Sequence, residues 1–570
     1  MPEYLHPGVY VQEVPSALRP IQGVGTSTAA FIGVADSGPV PGYLLPTGRA
    51  AQPVLVTSFT EYSRQFGGFR LDSFLTYAVQ AFFQNGGQSL YIVRVIPPSP
   101  AKFGASPPPG SAALAHTTVG SGSAAVHFWA ANHGAWGNNI WIQIAPSSDA
   151  DPNNFKLLVK YGATMAEAQG NTVESYDSVT YSGSPTLLPG APNPGQYARF
   201  VVNGRSEYIA ITSDFTARPP STSTDPSTGA LLLAALFGGS DGDTTTVNFV
   251  GAPAQDNTVT GTGLYALDKI TDVNLIAIPG QGDIATINSG VEYCKNQRSL
   301  QDCFFIGDVG SVVGPTGATN VPLARQYTVT PTVSKILDAR AFATTGLVGE
   351  QLDKAAGDYG AIYFPWVWAT DPIGIGLNPK ILLPPAGFLA GIYARIDTSR
   401  GVFKAPAGLE AGVAGALGPF VTVSDTEQDE LNPVMVNVLR SVPGSGLVVW
   451  GTRTFGSDAS WRYVPVRRMA IFLRVSIYNG IQWAVFEPND EPLWASLRLN
   501  IRAFMMTQFR AGAFQGSKPD DAFFVLCDSS TTTQTDIDNG VVNILVGFAP
   551  LKPAEFVVLK LSQKVNQPAV

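Results

Sequence analysis

Cysteines and histidines are few in this chain, and their spacing matches no common catalytic or metal-binding motif. The three cysteines form no CxxC pair, and no GxxxxGK[ST] phosphate-binding loop occurs. Asp241-Gly242-Asp243 starts like a calcium loop but continues with threonines. The histidines are also scattered: His6, His116, His127 and His133. The sequence therefore predicts no catalytic residue, no cofactor and no metal, although a hydrolase built on an α/β domain remains an alternative.

The two ends of the chain carry short β-rich segments, Pro7–Val14 and Ala554–Leu561. Prolines and glycines separate each segment from the body, so each could leave the body and pair with another chain. Between the first segment and the body lies Pro15–Ser27, whose 13 residues could span at most about 43 Å. We expect this linker, with Gly23 and Gly25, to be flexible. The residues predicted to link subunits are Val9, Tyr10, Val11, Phe556, Val557, Val558 and Leu559.

A second surface is predicted near the C-terminus, on a helix over Leu493–Arg510. Asn489-Asp490-Glu491-Pro492 is a typical helix start. Arg498, Arg502 and Arg510 are spaced so that they lie near one edge of the helix. The segment from Trp461 to Lys518 contains eight basic and three acidic residues, a net charge of +5. Such a surface favours an acidic partner, although a solvated helix face would have the same pattern.

The rest of the sequence must supply the domains that position these surfaces. A chain of 570 residues is expected to form several domains. Only 14% of its residues are charged, well below the roughly 25% that is typical of soluble domains. The net charge of −8 argues against nucleic acid as the main partner. No apolar run is long enough for a membrane helix, and the N-terminus does not resemble a secretory signal. We therefore expect synthesis and assembly in the cytoplasm of the producing bacterial cell, with release by cell lysis as the alternative to staying there.

Strands that alternate with helices predict an α/β fold of mixed α+β character with several domains. We expect an α/β core from residues 28–100 and 251–400, interrupted by an inserted β-rich outer domain at 101–250. An α+β C-terminal domain is predicted at 401–549, between terminal linking segments at 1–27 and 550–570. Arg199–Val202 and Trp483–Phe486 are among the predicted strands.

Several ordered motifs resemble those of the contractile tail sheath family of phage tails and phage-derived injection systems. They lie along much of the chain, and the resemblance is weakest over roughly 100–230. The motifs are Pro7-Gly8-Val9-Tyr10, the Leu236–Gly242 run, Tyr359–Trp366, Leu383–Gly387, Ala390–Asp397, Arg400–Ala407, Trp461–Arg468, Phe486–Asn489 and Pro550–Phe556.

The resemblance implies a structural protein and not an enzyme. Sheath subunits of this family stack as hexameric rings around an inner tube, and terminal strands link neighbouring subunits into a mesh. The implied partners are further copies of the chain, the inner tube protein, and baseplate and terminal cap proteins, with no insertion into a membrane. The helical sheath then contracts and drives the tube through a target envelope. With such a tube as the partner, the basic helix face with Arg498, Arg502 and Arg510 is our hypothesis for the tube contact. A static tube or capsid protein is the alternative.

Overall fold

A computed structural model of the chain describes residues 19–70, 72–97, 111–184, 196–222, 232–254, 259–311, 331–346, 349–374, 377 and 379–556. The strands are β1 (Ala29–Gly33), β2 (Val54–Val56), β3 (Leu90–Arg94), β4 (His116–Val119), β5 (Val126–Ala130), β6 (Ile140–Pro146), β7 (Phe155–Tyr161), β8 (Thr172–Val179), β9 (Ile209–Ile211), β10 (Ala234–Ala235), β11 (Leu275–Ala277), β12 (Phe304–Asp308), β13 (Gly360–Phe364), β14 (Val367–Thr370), β15 (Lys380–Leu383), β16 (Ala416–Pro419), β17 (Val436–Val442), β18 (Gly446–Val449), β19 (Phe523–Leu526) and β20 (Leu545–Phe548).

The helices are α1 (Phe59–Phe66), α2 (Leu75–Gln84), α3 (Met165–Gly170), α4 (Ala198–Asn203), α5 (Thr246–Val250), α6 (Ile284–Glu292), α7 (Ile336–Thr344), α8 (Ala386–Arg400), α9 (Asp425–Leu431), α10 (Val464–Gly480), α11 (Glu491–Arg510), α12 (Pro519–Ala522) and α13 (Gln534–Asp538). The chain divides into two compact units. The large unit is Thr26–Arg400 with Ala405–Val464, and the small unit is Met1–Gly25, Gly401–Lys404 and Pro465–Val570.

The large unit is built on an eight-stranded sheet in the order β18-β17-β13-β12-β11-β1-β3-β2. Its six central strands are parallel, while β18 and β2 at the two edges run antiparallel to their neighbours. Every residue of β1, β12 and β13 is buried, as expected for a parallel sheet covered on both faces. The mixed α/β, multidomain fold class predicted from the sequence is therefore confirmed.

Between β3 and β11 the chain forms a β-rich insertion with two smaller sheets, β4-β5-β9 and β10-β6-β7-β8. Alternate residues of β6 are buried, so one face of its sheet packs on an apolar core that includes Ile142 and Phe155. The predicted strand at Arg199–Val202 is wrong, since these residues lie in α4. Asn203 follows them and binds the backbone of Ile211 in β9 through both side-chain amide atoms, at 2.8 and 2.9 Å, which ties the helix to the sheet edge.

A buried charge cluster joins this insertion to the large sheet. The side chain of Arg94, at the end of β3, is fully buried and donates hydrogen bonds to the carbonyl oxygens of Ala35, Asp36, Gly38 and His133 at 2.7–3.0 Å. Asp241 approaches the same guanidinium at 3.7 Å, accepts from Ala135 N–H at 3.1 Å, and pairs with Arg70 at 3.0 Å. Two segments of the insertion are thereby fixed to the sheet, which gives Asp241 a structural role in place of the calcium loop.

The C-terminal part of the chain divides differently from the sequence prediction. We expected one domain over 401–549, but β17 pairs in parallel with β13, and β16 pairs with β14. These strands complete sheets of the large unit, so the continuous part of the small unit begins at Pro465. Sequence pattern marks where strands lie along the chain, whereas the choice of sheet depends on pairing partners far away in sequence.

A candidate strand-docking site in the small unit

Helices α10 and α11 form the core of the small unit through apolar side chains that include Leu473, Ile501 and Phe504. The predicted start of α11 is confirmed: the Asp490 side chain accepts the Leu493 N–H at 3.3 Å, and Pro492 lies in the first turn. The strand predicted at Trp483–Phe486 is wrong. Gln482–Ala484 form a 3₁₀ turn, because this short connection has to join two helices and has no strand beside it among the described residues.

A two-stranded antiparallel sheet, β19–β20, packs on this helical core. Phe523 and Val525 are buried against α11 residues such as Phe504 and Met505. The alternate residues face outward: Phe524 is 47% exposed, Leu526 39% and Leu545 52%. The outward face of this sheet is therefore apolar and uncovered, which is typical of a surface that contacts a partner. A two-stranded sheet alone is also only marginally stable in water, so further strands would stabilise it.

Both outer edges of this sheet are available along most of their length. Within the described residues, β19 and β20 pair only with each other, from Phe523–Phe548 to Leu526–Leu545. Just beyond β20, Gln515 N–H donates to Ala549 O at 2.9 Å, so the next segment of the edge is occupied. The remaining edges present unpaired backbone donors and acceptors, which can accept a strand from another chain.

The first described residues of the chain do not form a flexible linker. Ile21 is buried in the core of the small unit, and the N–H groups of Arg19 and Val24 donate to Asn500 Oδ1 at 3.0 Å and Ser476 Oγ at 3.1 Å. A Cβ added at Gly23 would lie 2.9 Å from the Phe472 ring, so the backbone at Gly23 is packed closely on α10. The expectation that Gly23 provides flexibility is wrong for this reason.

The Arg498 side chain forms its contacts within the small unit. Its guanidinium pairs with Glu491 Oε1 at 2.6 Å and donates to the carbonyl oxygen of Cys527, next to β19. The Glu491 carboxylate raises the pKa of Arg498, which therefore stays charged. This arginine connects the first turn of α11 to the end of the two-stranded sheet.

Arg502 and Arg510 are the more accessible of the three predicted contact residues. Arg502 is half exposed and pairs with Asp520 at 2.9 Å, while Arg510 is exposed and makes no ion pair with any described residue. Arg467 and Arg468, which contributed to the basic surplus in the sequence, are buried. The basic surface on α11 is thus narrower than the sequence count indicates and is centred on Arg502 and Arg510.

The predicted linking residues lie at the limits of the described chain. Phe556 is 75% exposed, as a residue intended for an intermolecular contact would be. The others lie outside the described residues: Val9, Tyr10, Val11, Val557, Val558 and Leu559. Their role stays a prediction.

The cysteines and histidines singled out in the sequence include groups whose surroundings shift their pKa values. Burial raises the pKa of the Cys294 and Cys303 thiols well above their usual range, which keeps both protonated and unreactive. Burial and the nearby Arg94 lower the pKa of His133 to about 4. No group of His, Cys, Asp or Glu side chains in this part of the chain is placed to hold a metal ion. None of the helices in the described ranges is both long and apolar enough to cross a membrane.

Two protein-family models match adjoining parts of this chain. The family model for the phage tail sheath protein central domain matches residues 263–455, and the model for the phage tail sheath C-terminal domain matches residues 456–564. Together the two matches cover more than half of the chain. The protein belongs to the tail sheath family.

Two relatives agree with this assignment, and a solved structure has a similar fold. The tail sheath protein of Vibrio phage KVP40 is 27% identical over 180 residues, 31% of this chain and 26% of the relative. That of Burkholderia phage BcepMu is 28% identical over 191 residues, 32% of this chain and 39% of the relative. These matches therefore span less than half the length of either relative. The sheath of the PVC extracellular contractile injection system, solved in its contracted state, has a similar fold with a TM-score of 0.53, 20% identity and 99% of both chains covered.

Proposed function

We propose that this chain is the structural subunit of a contractile sheath, which polymerises around an inner tube and shortens to drive the tube through a cell envelope. The observation that carries the proposal is the two-stranded sheet β19–β20, whose outer edges and apolar face are left open by the part of the chain that the structure describes. Membership of the tail sheath family supports the proposal. The β-rich segments at the two chain ends have sequences suited to pairing with these edges. The role is mechanical, and no catalytic step or cofactor is required.

Strand addition gives a physical basis for the linkage. A terminal segment that pairs along four or five residues would form about five backbone hydrogen bonds, each worth roughly 1 kcal/mol net. A single junction is weak, but a subunit that gives and receives strands is held in a mesh by several of them. Burial of Phe524, Leu526 and Leu545 under neighbouring chains would add apolar contacts, at about 25 cal/mol per Å² of buried apolar surface.

Electron microscopy of the chain produced together with the tube protein of the same particle tests this function. We expect striated tubes in two forms, one long and narrow and one short and wide, because contraction changes the packing of whole subunits. Tubes of a single width under every condition would favour the static tube or capsid protein. Monodisperse globules with no tubes would contradict both assembly functions and bring back the hydrolase alternative.

We further propose that Arg498, Arg502 and Arg510 on α11 form the surface that contacts the tube. Arg502 and Arg510 would make the direct contacts, since Arg498 already holds the helix start to the sheet end. Solvent-exposed charge pairs suit this contact, because each contributes at most about 1 kcal/mol and can be released when the sheath moves. We therefore expect the outer surface of the tube to carry acidic residues.

Substitution Arg510→Glu should reduce sheath assembly on tubes at least tenfold while the thermal unfolding of the subunit stays unchanged. The reason is that Arg510 has no ion pair within the described part of the subunit, so its charge is free for the partner. Co-sedimentation with preformed tubes measures the effect, and Arg49→Glu, an exposed charge on the large unit, is the matched control. Equal assembly of both variants would remove Arg510 from the tube contact.

A further inference from the structure

We propose that residues 19–25 are a fixed anchor that stays bound to the small unit before and after contraction, so that the N-terminal link to a neighbouring subunit begins at Arg19. This inference rests on the proposed sheath function and specifies how one of its links is built. The anchor consists of residues 19–25, and the arm consists of residues 1–18.

Two buried polar side chains of the small unit are aimed at the anchor backbone. Asn500 on α11 is 1% exposed, and its Oδ1 accepts the Arg19 N–H at 3.0 Å. Ser476 on α10 is fully buried, and its Oγ accepts the Val24 N–H at 3.1 Å. A buried polar group that loses its partner costs about 1–3 kcal/mol. Detachment of the anchor would therefore leave one such group unpaired on each helix.

Apolar and aromatic contacts fix the anchor between these two hydrogen bonds. Ile21 is buried in the same core as Leu473 and Phe504, and Gly480 at the end of α10 leaves the space that the Ile21 side chain fills. The Arg19 guanidinium lies 4.6 Å from the centroid of the Trp483 ring, within the range of a cation–π contact. Detachment would expose an isoleucine, break this contact and open a gap beside Gly480.

The anchor shortens the reach of the N-terminal link. From Val14, the last residue of the β-rich segment, to Arg19 the chain has five steps, which span at most about 18 Å. A linker that was free from Pro15 to Ser27 would reach more than twice as far. The strand acceptor of the neighbouring subunit must then lie within about 18 Å of Arg19 both before and after contraction, so the junction behaves as a short tether whose base belongs to the small unit.

A disulfide across the anchor tests this proposal in the assembled particle. A Cβ built on Gly480 lies 3.0 Å from Ile21 Cβ, shorter than the roughly 3.5–4.5 Å of a disulfide, so the double variant Ile21→Cys with Gly480→Cys can crosslink once the two backbones move apart by about 0.5–1 Å. The native cysteines are buried and should not interfere. We expect oxidised particles to contract to the same final length and in the same fraction as reduced ones. Oxidised particles that stay extended, or that fragment on triggering, would show that the anchor has to detach and would overturn the proposal.

A measurement on free subunits separates this inference from the sheath function itself. The Val24 amide should exchange hydrogen at least tenfold faster in Ser476→Ala than in the unmodified chain, and the Arg19 amide likewise in Asn500→Ala. Ser496→Ala, on an exposed turn of α11, is the control and should change neither rate. Equal rates in all variants would contradict the anchor whether or not the protein forms sheaths. Failure of the unmodified chain to form any tube, with the exchange pattern intact, would instead contradict the proposed function alone.

Discussion

The double substitution Val9→Pro and Val11→Pro should yield a folded subunit that no longer forms a linked sheath. Alternate residues of a strand direct their N–H groups to the same side, so the two prolines would remove two hydrogen bonds to the same neighbour and introduce steric conflict with its edge. Because the mesh repeats the junction at every subunit, we expect assembled sheath to fall below a tenth of the unmodified amount. Negative-stain microscopy and sedimentation measure this loss.

The matched control is Ser16→Pro, which adds a proline beside Pro15 in the predicted linker, where no intermolecular pairing is expected. Its sheaths should resemble those of the unmodified chain. The thermal unfolding of all three proteins should coincide, since the substitutions precede the anchor. Normal sheath length in the double-proline variant would contradict strand addition by the N-terminal segment, and another part of the chain would then have to occupy the open sheet.

Substitution Arg94→Met should destabilise the large unit by about 3–5 kcal/mol, the usual cost of breaking a buried charge pair by removal of one partner. The guanidinium is completely buried, and its removal leaves four carbonyl oxygens without that donor and Asp241 with Arg70 as its remaining arginine partner. Methionine fills a similar volume, so the effect would come from lost hydrogen bonds and charge and not from a cavity.

Near-ultraviolet circular dichroism during heating follows the unfolding, and hydrogen exchange locates it. We expect faster exchange in residues 131–136 of the insertion, because the His133 carbonyl and the Ala135 N–H are held by Arg94 and by its partner Asp241. Arg49→Met is the control, since Arg49 is exposed and has no ion pair among the described residues. Coincident melting of Arg94→Met and Arg49→Met would show that the cluster contributes little to stability.

Several elements of the molecule could be predicted because local chemistry determines them. Helix α1 follows from Ser58, whose Oγ accepts the Glu61 N–H, and from Gly67, which ends the helix at a φ of 86°. Helix α11 follows in the same way from Asp490 and Pro492. The strands of the large sheet are short apolar runs bounded by turn residues. These signals need no information from distant parts of the chain.

Other features depended on contacts that local pattern does not contain. Residues 19–25 have the composition of a linker, yet Asn500 and Ser476, more than 450 positions away, fix their backbone. Arg498 and Arg502 have the spacing of a solvent-facing stripe, but Glu491, the Cys527 carbonyl and Asp520 decide how free each one is. Arg199–Val202 has strand-forming residues and folds as a helix against β9.

The sequence by itself determined the fold class, the resemblance to tail sheath proteins, and the two ends with a composition suited to strand pairing. These properties depend on residue type and spacing along the chain. Only the tertiary structure decided that the edges of β19–β20 are open among the described residues, that residues 19–25 pack on the small unit, and that Arg502 and Arg510 are the more accessible arginines. The reason is physical: exposure, pairing and anchoring are set by which distant residues come together, and a one-dimensional pattern does not specify those neighbours.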